Sequence, residues 1–353
     1  MGSGAESTWG PPSYRHVHEV RLSEKQLESL LKRCRLDPKI LKEEPSGRLL
    51  SYIHRQLFLE LPFENLSVLR DDWISLDVKD IIKKISGQHR RGGYCFELNK
   101  LLACLLLHLG FEVQLLKARV WLDDGQTPRL PTPPLHTHIC LLVRTVPETF
   151  LCDVAFGKIG LLEPLSLQHL NQGPVKNGHV RMKLESSSCR NSAGFDVETY
   201  TLWYTPDIYN DTAWMRGYSF VPADECHFVD FIPLNAAVHG YFESPFTQRL
   251  WFEKRGREHC RILGTELVMN DGQKVAIESA AELQKLLHHH FKLTLSLDEC
   301  KALHGLAMAE KPKDKWSRLL ALRRRRRTHS WPMWHLALPV TLLLAAAMWR
   351  CRR

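Results

Sequence analysis

The hydrophobic pattern of the chain changes its period at Gly110, and this change constrains the fold more than any other feature. Between residues 95 and 109, leucines recur every three or four positions, which predicts a helix, and Gly110 suits the position that ends it. From Phe111 onward the apolar residues come in short runs typical of strands, such as FEVQLLKARVWL, HICLLVRTV, TFLCDVAF, HVRMKLE and TYTLWYT. The change predicts an α+β fold in which helices precede a β-rich part.

The remaining segments extend this order in both directions. Leucines with helical spacing follow Ser23, a candidate N-cap, and a second helix is predicted at about residues 46–59. Beyond Ala223 the pattern is mixed, with strands predicted at QRLWFEKR and CRILGTEL, a turn at residues 270–272 and a helix over Ala280–Phe291. The chain therefore divides into a helical bundle, a β-rich middle and an α/β end.

The net charge of +9 is concentrated near the C-terminus. Residues 323–327 are five consecutive arginines, and without these and Arg350, Arg352 and Arg353 the rest of the chain has a net charge of about +1. No aromatic stacking platform or nucleic-acid motif accompanies the arginines. We therefore expect no nucleic-acid partner.

The cysteines indicate a reducing compartment. The ten cysteines have irregular spacings without a CxxC pair, and residues 1–12 lack the basic and apolar regions of a secretory signal. These observations predict reduced thiols in a cytosolic protein.

One cysteine, Cys95, lies in the segment RRGGYCFELN and opens the predicted helix. The glycines before it allow an open backbone, and the N–H groups and positive end of a helix favour a thiolate at its first residue. Taken alone, the segment fits equally well a turn before a core helix whose cysteine is buried and inert.

A histidine and an aspartate are predicted to meet downstream of this cysteine. HICLLVRTVPETFLCDV has the pattern of two strands joined by a turn near residues 145–148, and an antiparallel hairpin brings His138 opposite Asp153 or within one or two positions of it. A carboxylate that fixes the tautomer of a histidine prepares it to act as a general base. Either residue alone would more simply be structural.

The joint pattern closely resembles the arylamine N-acetyltransferase family. The resemblance rests on RGGYCFELN, on a strand histidine with DVAFG fifteen residues later, and on LPFENL and GFEVQLLKARV, with weaker similarity elsewhere between residues 22 and 297. It implies an N-terminal helical domain (residues 1–112), a β-barrel-like domain (113–222) and an α/β lid (223–297), in a cysteine-protease-like triad arrangement. Residues 298–353 fall outside it as a charged linker and an apolar, basic tail.

The resemblance also implies the reaction. Acetyl-CoA acetylates Cys95, CoA leaves, and an arylamine, hydrazine or similar amine then takes the acetyl group in a ping-pong scheme. His138 activates the thiol and Asp153 orients His138.

The matching motifs imply four supporting residues. Arg91 and Glu97 flank the nucleophile and order the pocket, while Phe156 and Gly157 line the acceptor site. The segment LNAAVHGYFESPFTQRL departs from the family's Ser/Thr-rich pattern, so no substrate contacts are carried over there.

Two alternatives concern His136, which lies two residues before His138 on what is predicted to be the same strand face. It is a second candidate for the base. The two histidines would also suit a zinc ion, but the sequence offers no further ligands at suitable spacing, so no metal is predicted.

Two other functions stay open at this point. Cys-His-Asp triads also serve thiol hydrolases and transglutaminase-like enzymes, although the segment around Cys95 lacks the papain pattern. Because the segment LNAAVHGYFESPFTQRL departs from the family pattern, the chain could instead be an inactive, membrane-tethered binding module.

The C-terminal tail carries its own prediction. Residues 333–349 are seventeen mostly apolar residues with tryptophans near both ends and arginines outside them. A membrane-spanning helix needs about 20 such residues, and tryptophan and arginine favour its borders. We expect a tail anchor that leaves the catalytic part in the cytosol. An interfacial helix, a partner-binding helix and a disordered extension are the alternatives.

Overall fold

The computed structural model describes residues 20–87, 90–121, 135–190, 193–205, 214–240, 244–255, 259–269 and 272–307. The predicted loop at residues 125–134 and the apolar tail at residues 333–349 lie outside these ranges, as does most of the predicted turn at residues 270–272.

The N-terminal part is helical. Its elements are α1 (Glu24–Cys34), α2 (Gly47–Glu60), β1 (Phe63–Glu64), α3 (Leu66–Leu69), α4 (Val78–Ser86) and α5 (Cys95–His108). Ser23 caps α1, since its Oγ accepts from Gln26 N and its own N–H donates to Gln26 Oε1. Gly110, at φ +84°, follows the end of α5 in the left-handed conformation that favours glycine. The three helices predicted in this part are confirmed to within one residue at each start.

An eight-stranded antiparallel sheet occupies the middle of the chain. Its strands are β2 (Glu112–Val120), β3 (His136–Arg144), β4 (Thr149–Cys152), β5 (Leu165–Ser166), β6 (Val175–Asn177), β7 (Val180–Arg190), β8 (Asp196–Thr205) and β9 (Met215–Cys226). They are ordered β5-β4-β3-β2-β9-β8-β7-β6 in one curled sheet. The predicted α+β class is confirmed.

Strand β3 lies between two hydrophobic cores because its side chains alternate. Ile139 and Leu141 pack with α5 in a core shared with the helices, whereas Cys140 and Leu142 belong to the core on the other face of the sheet. Helix α5 is buried from Cys95 to Leu106 on all sides. The site region therefore lies where the central helix meets the central strand.

The C-terminal part builds a second sheet and a third core. Its elements are α6 (Phe231–Gly240), α7 (Pro245–Gln248), β10 (Trp251–Lys254), β11 (Cys260–Leu263), β12 (Glu266–Met269), β13 (Lys274–Ala276), α8 (Ala280–Phe291) and α9 (Leu297–Ala307). The sheet order is β1-β10-β11-β12-β13, so a strand from the N-terminal part forms its edge. Helix α8 has the predicted bounds.

Two details of the predicted organisation are corrected. The boundary after residue 222 falls inside β9, which is a continuous strand to Cys226. Residues 298–307, predicted as linker, belong to α9 and pack on α8 through Cys300, Leu303 and Leu306. Asp298 and Lys301 of α9 are exposed, as charged residues of a linker would also be.

No helix in the described ranges is both long and apolar enough to cross a membrane.

Candidate active site

Cys95 is the first residue of α5. Its side chain is buried, and Sγ lies 3.8 Å from the carbonyl O of Thr137 on β3. The free N–H groups of the first helical turn and the positive end of the helix dipole favour a negatively charged group at this position. Helix α5 therefore directs a thiol at the strand that carries His138.

The glycines before Cys95 are required by close packing. A Cβ on Gly92 would lie 1.8 Å from Pro62 O, closer than any side chain can approach. Gly93 exchanges backbone hydrogen bonds with the same segment, donating to Pro62 O at 3.3 Å and accepting from Glu64 N at 3.0 Å. The LPFENL segment therefore supports the loop that precedes Cys95.

Arg91 and Glu97 brace this loop through ion pairs. Arg91 donates to both carboxylate oxygens of Glu64, at 2.8 and 3.1 Å, and to Ser67 Oγ. Glu97 accepts from Lys84 Nζ at 2.8 Å. Burial raises the pKa of Glu64, but the charges of Arg91 and Lys84 outweigh it and lower that pKa to about 2. The two side chains predicted to order the pocket are thus engaged with the protein behind Cys95.

The predicted hairpin brings His138 and Asp153 together. Leu141 on β3 pairs with Cys152 on β4, so Asp153 lies two positions along the ladder from His138. His138 Nε2 and Asp153 Oδ2 are 2.7 Å apart, and both side chains are buried. The geometry leaves His138 Nδ1 as the ring nitrogen available to another group.

The electrostatics of the pair favour an imidazolium beside a carboxylate. Burial lowers the pKa of His138, but the charge of Asp153, its hydrogen bond and a hydrogen bond with Cys95 raise that pKa to about 10. Burial raises the pKa of Asp153, and the charge of His138 with hydrogen bonds from Asn99 and Ala155 lowers it overall. The three predicted residues Cys95, His138 and Asp153 therefore form one interacting group.

Asn99 holds the aspartate and was missed by the sequence analysis. Its Nδ2 donates to Asp153 Oδ1 at 2.8 Å and to Ile139 O at 2.7 Å, while its Oδ1 accepts from Val154 N at 2.9 Å. Asn99 follows Cys95 by one helical turn, so a polar residue on the same face of the helix as Cys95 was the available signal.

His54 on α2 is a second missed residue. Its Nε2 accepts a hydrogen bond from Asp153 N at 3.1 Å, and the ring is fully buried. Burial lowers the pKa of His54 to about 4, although the charge of Asp153 opposes the shift. The ring is therefore a neutral acceptor that fixes the backbone of the aspartate.

Aromatic rings surround His138. The ring centroids of Phe156 and Tyr218 lie 5.2 and 5.0 Å from that of His138, and 5.0 Å from each other. Gly157 has φ +55°, and a Cβ there would lie 3.3 Å from the indole of Trp251. Phe156 and Gly157 thus lie beside the histidine, next to the C-terminal sheet.

His136 has different surroundings from His138. A bulge at Thr137 pairs His138 with Ala118 but His136 with Arg119. Paired residues share a face and neighbours on a strand do not, so the two histidines point to opposite faces. The expectation that they share a face is wrong. Burial and the charge of Arg119 lower the pKa of His136 to about 4.

The described residues contain no group of three His, Cys, Asp or Glu side chains that could hold a metal ion.

Comparison with known proteins identifies the family. A family model described as N-acetyltransferase matches residues 48–300, which is more than half of the chain. An arylamine N-acetyltransferase / N-hydroxyarylamine O-acetyltransferase of Salmonella typhimurium is 38% identical over 144 residues, covering 41% of this chain and 49% of that protein. The match thus spans about half the length of this relative.

Two further relatives cover more of their own length. An N-malonyltransferase of Gibberella moniliformis is 28% identical over 254 residues, covering 68% of this chain and 69% of that protein. The crystal structure of the Nocardia farcinica arylamine N-acetyltransferase superposes with a TM-score of 0.67 at 26% identity, covering 83% of this chain and 97% of that one. The chain belongs to the arylamine N-acetyltransferase family.

Proposed function

We propose that the protein is an acyltransferase that moves an acetyl group from acetyl-CoA to an aromatic amine or hydrazine through a thioester on Cys95. The observation that carries the proposal is the placement of Cys95 at the start of α5 beside the buried His138–Asp153 pair. Family membership supports the same assignment.

In the resting site the proton of the Cys95 thiol already lies on His138, whose Nε2 is held by Asp153, so the first half-reaction begins from a thiolate beside an imidazolium. The thiolate attacks the carbonyl carbon of the acetyl thioester, and the bond from that carbon to the CoA sulfur breaks. The CoA thiolate leaves and takes the proton from His138. Asp153 stabilises the imidazolium for as long as His138 carries this proton.

In the second half-reaction the amine nitrogen attacks the acetyl carbon of the Cys95 thioester. His138 accepts the proton that the amine loses, and the Cys95 thiolate leaves as the amide forms. Phe156 and Gly157 line the acceptor side of this step, where an aromatic ring can stack on Phe156.

The identities of donor and acceptor rest on family relationships. The name of the Salmonella protein supports an arylamine acceptor and an acetyl donor. The name of the Gibberella protein makes a malonyl thioester the donor to test beside acetyl-CoA. The reaction uses no metal, because the cysteine is itself the nucleophile.

The wider organisation remains part of the proposal. The part of the chain after Cys226 acts as a lid that closes the acceptor side, and the eight-stranded sheet, with His138 on β3 and Asp153 directly after β4, is a β-barrel-like domain. The tail at residues 333–349 stays a predicted membrane anchor for a cytosolic enzyme.

Initial-rate kinetics with acetyl-CoA and an aniline test the proposal. The expected result is an N-acetylated aniline, formed with the parallel double-reciprocal lines of a ping-pong mechanism. Cys95→Ser should abolish product, whereas Cys104→Ser, which changes another buried cysteine of α5, should retain it.

Two other outcomes identify the alternatives. Release of acetate that does not depend on the amine would indicate a thiol hydrolase. Binding of acetyl-CoA without turnover of any tested thioester would indicate an inactive binding module.

A further inference from the structure

Arg255, directly after β10, is a buried cation outside the predicted triad. Only about 3% of the residue is exposed to solvent. Its Nη2 donates to Leu61 O at 2.7 Å, its Nη1 donates to Val154 O, and the guanidinium lies 4.0 Å from the ring centroid of Phe58. Arg255 therefore connects the C-terminal sheet with the end of α2 and with the residue that follows Asp153.

The backbone around Asp153 is held from several directions. Asn99 accepts from Val154 N, and His54 accepts from Asp153 N. Arg255 binds the carbonyl of Val154, so it fixes the opposite side of the same short segment. These contacts fix the backbone from which the Asp153 side chain extends, and hydrogen bonds from Asn99 and Ala155 then hold the carboxylate itself.

A purely structural role explains the cation poorly. Arg255 Nε has no hydrogen-bond partner among the described residues, and a buried charge that is incompletely paired costs stability. Burial lowers the pKa of Arg255 to about 10, while the charges of Glu253 and Asp153 raise it. An apolar residue could fill such a junction at a lower cost, so stability alone does not account for a buried charge here.

We infer that Arg255 is a positioning residue for the reaction: through its hydrogen bond to Val154 it lets the C-terminal sheet set the geometry of the Asp153–His138 pair. The inference rests on the proposed function of that pair. In this role Arg255 makes the C-terminal sheet support the triad, and the same sheet also lies next to the acceptor side.

The test compares two variants with a matched control. Arg255→Met removes the charge and both hydrogen bonds, and Arg255→Lys keeps the charge with fewer donors. Arg70→Met is the control, because Arg70 also joins the N-terminal and C-terminal parts, through an ion pair with Glu299 at 2.6 Å, but does so away from the triad. Circular dichroism and urea unfolding establish that each variant is folded.

The first measurement is the rate of Cys95 alkylation by iodoacetamide as a function of pH, resolved by peptide mapping. It requires neither acetyl-CoA nor an amine, so it reports on the triad even if the proposed reaction is wrong. Misplacing a reacting group by about 1 Å can cost roughly a hundredfold in rate. We expect Arg255→Met to slow alkylation near neutral pH by roughly tenfold or more and to change the pH profile, with partial recovery in Arg255→Lys.

The second measurement separates kcat from KM in amine acetylation. The expected result is a loss in kcat that parallels the loss in alkylation, with KM changed by less than about threefold, since Arg255 is not placed against the substrates. Arg70→Met should match the wild-type protein in both measurements.

An alkylation profile in folded Arg255→Met that superimposes on that of the wild-type protein would overturn the inference. If Arg255→Met does not fold, Arg255→Lys carries the test, and an unchanged profile in that variant overturns the inference equally. A shifted profile in a protein that acetylates no amine would support the positioning role while refuting the proposed function.

Discussion

Among the residues that the structure describes, two buried histidine–carboxylate pairs can be compared, and one of them lies beside Cys95, the proposed nucleophile. His138 Nε2 is 2.7 Å from Asp153 Oδ2, and His259 Nε2 is 2.8 Å from Glu253 Oε1. Both pairs are almost fully shielded from solvent. Judged by distance and burial alone, they are equivalent.

The surroundings distinguish the two pairs. His138 interacts with Cys95, which opens a helix, and Asp153 takes further hydrogen bonds from Asn99 and Ala155. His259 instead packs near His179, at 5.9 Å between ring centroids, and Glu253 accepts from the indole N–H of Trp251. Cys260 follows His259, but its side chain is buried in the C-terminal core.

The comparison shows that a histidine–carboxylate pair alone is not a catalytic signature. Similar pairs stabilise folds, and the nucleophile at a helix N-terminus gives one of these pairs its proposed role. Each prediction below tests this difference.

The largest difference is expected in activity. His138→Gln should lower kcat/KM for amine acetylation by about 10³–10⁴-fold, because it removes the base from the reacting group. His259→Gln should change kcat/KM by about threefold or less, because His259 contacts no reacting atom. Initial rates of both folded variants check the pair of predictions, and comparable losses would contradict the assignment.

The second difference lies in the pH dependence of stability. The pKa of His138 is raised from 6.5 to about 10, so the stability contributed by the charged ring is complete below pH 6.5 and is lost as the pH rises toward 10. The pKa of Asp153 is lowered from 3.8, so its contribution is present above that pH and is lost as the pH falls through the lowered value. Between these two limits, the free energy of unfolding of the wild-type protein should exceed that of His138→Gln by the largest amount, about a few kcal/mol.

Urea unfolding of the two proteins at acidic, neutral and alkaline pH measures this window. The difference in unfolding free energy between the two proteins should become smaller as the pH rises toward 10. A difference that stays constant up to about pH 10 would mean that the His138–Asp153 pair is not charged in the folded protein.

A smaller effect is expected from His259 on stability. His259→Gln removes the imidazole from Glu253 and should lower the free energy of unfolding by about 1–3 kcal/mol, since a buried acceptor loses a partner. Adding Glu253→Gln should recover part of the loss, because the unpaired charge is then removed. Urea unfolding of the single and double variants checks this, and a single-variant loss below about 0.5 kcal/mol would make the second pair dispensable.

The smallest effect is expected at His136, the other histidine at the start of β3. His136→Gln should leave kcat/KM within about threefold of the wild-type value, because the bulge at Thr137 turns His136 to the opposite face from His138. A loss as large as that of His138→Gln would make His136 the base.

The proposed triad could be predicted from sequence because its signals are local. Cys95 follows two glycines at the start of a strongly helical segment, and His138 and Asp153 belong to one hairpin with a short turn. Local pattern and register are sufficient to bring such residues together. The family resemblance is confirmed, and the roles that it implies for the three residues stay predictions.

The supporting residues could not be predicted in the same way. His54 and Arg255 reach the Asp153 segment from helices and strands about a hundred residues away, and no spacing rule connects them. The proximity of Asn99 to the site could have been predicted, since Asn99 lies one helical turn from Cys95. Helix α9 was missed because the family resemblance ended at residue 297, although its three buried residues have helical spacing.

The measurement that tests the central claim most directly is the mass of the protein after brief exposure to acetyl-CoA without an amine, followed by peptide mapping. The account predicts one acetyl group, located on Cys95 in the wild-type protein and in Cys104→Ser, absent in Cys95→Ser, and discharged when an aniline is added. Acetylation of the aniline by a protein that never carries acetyl on Cys95 would contradict the account, because transfer would then be direct.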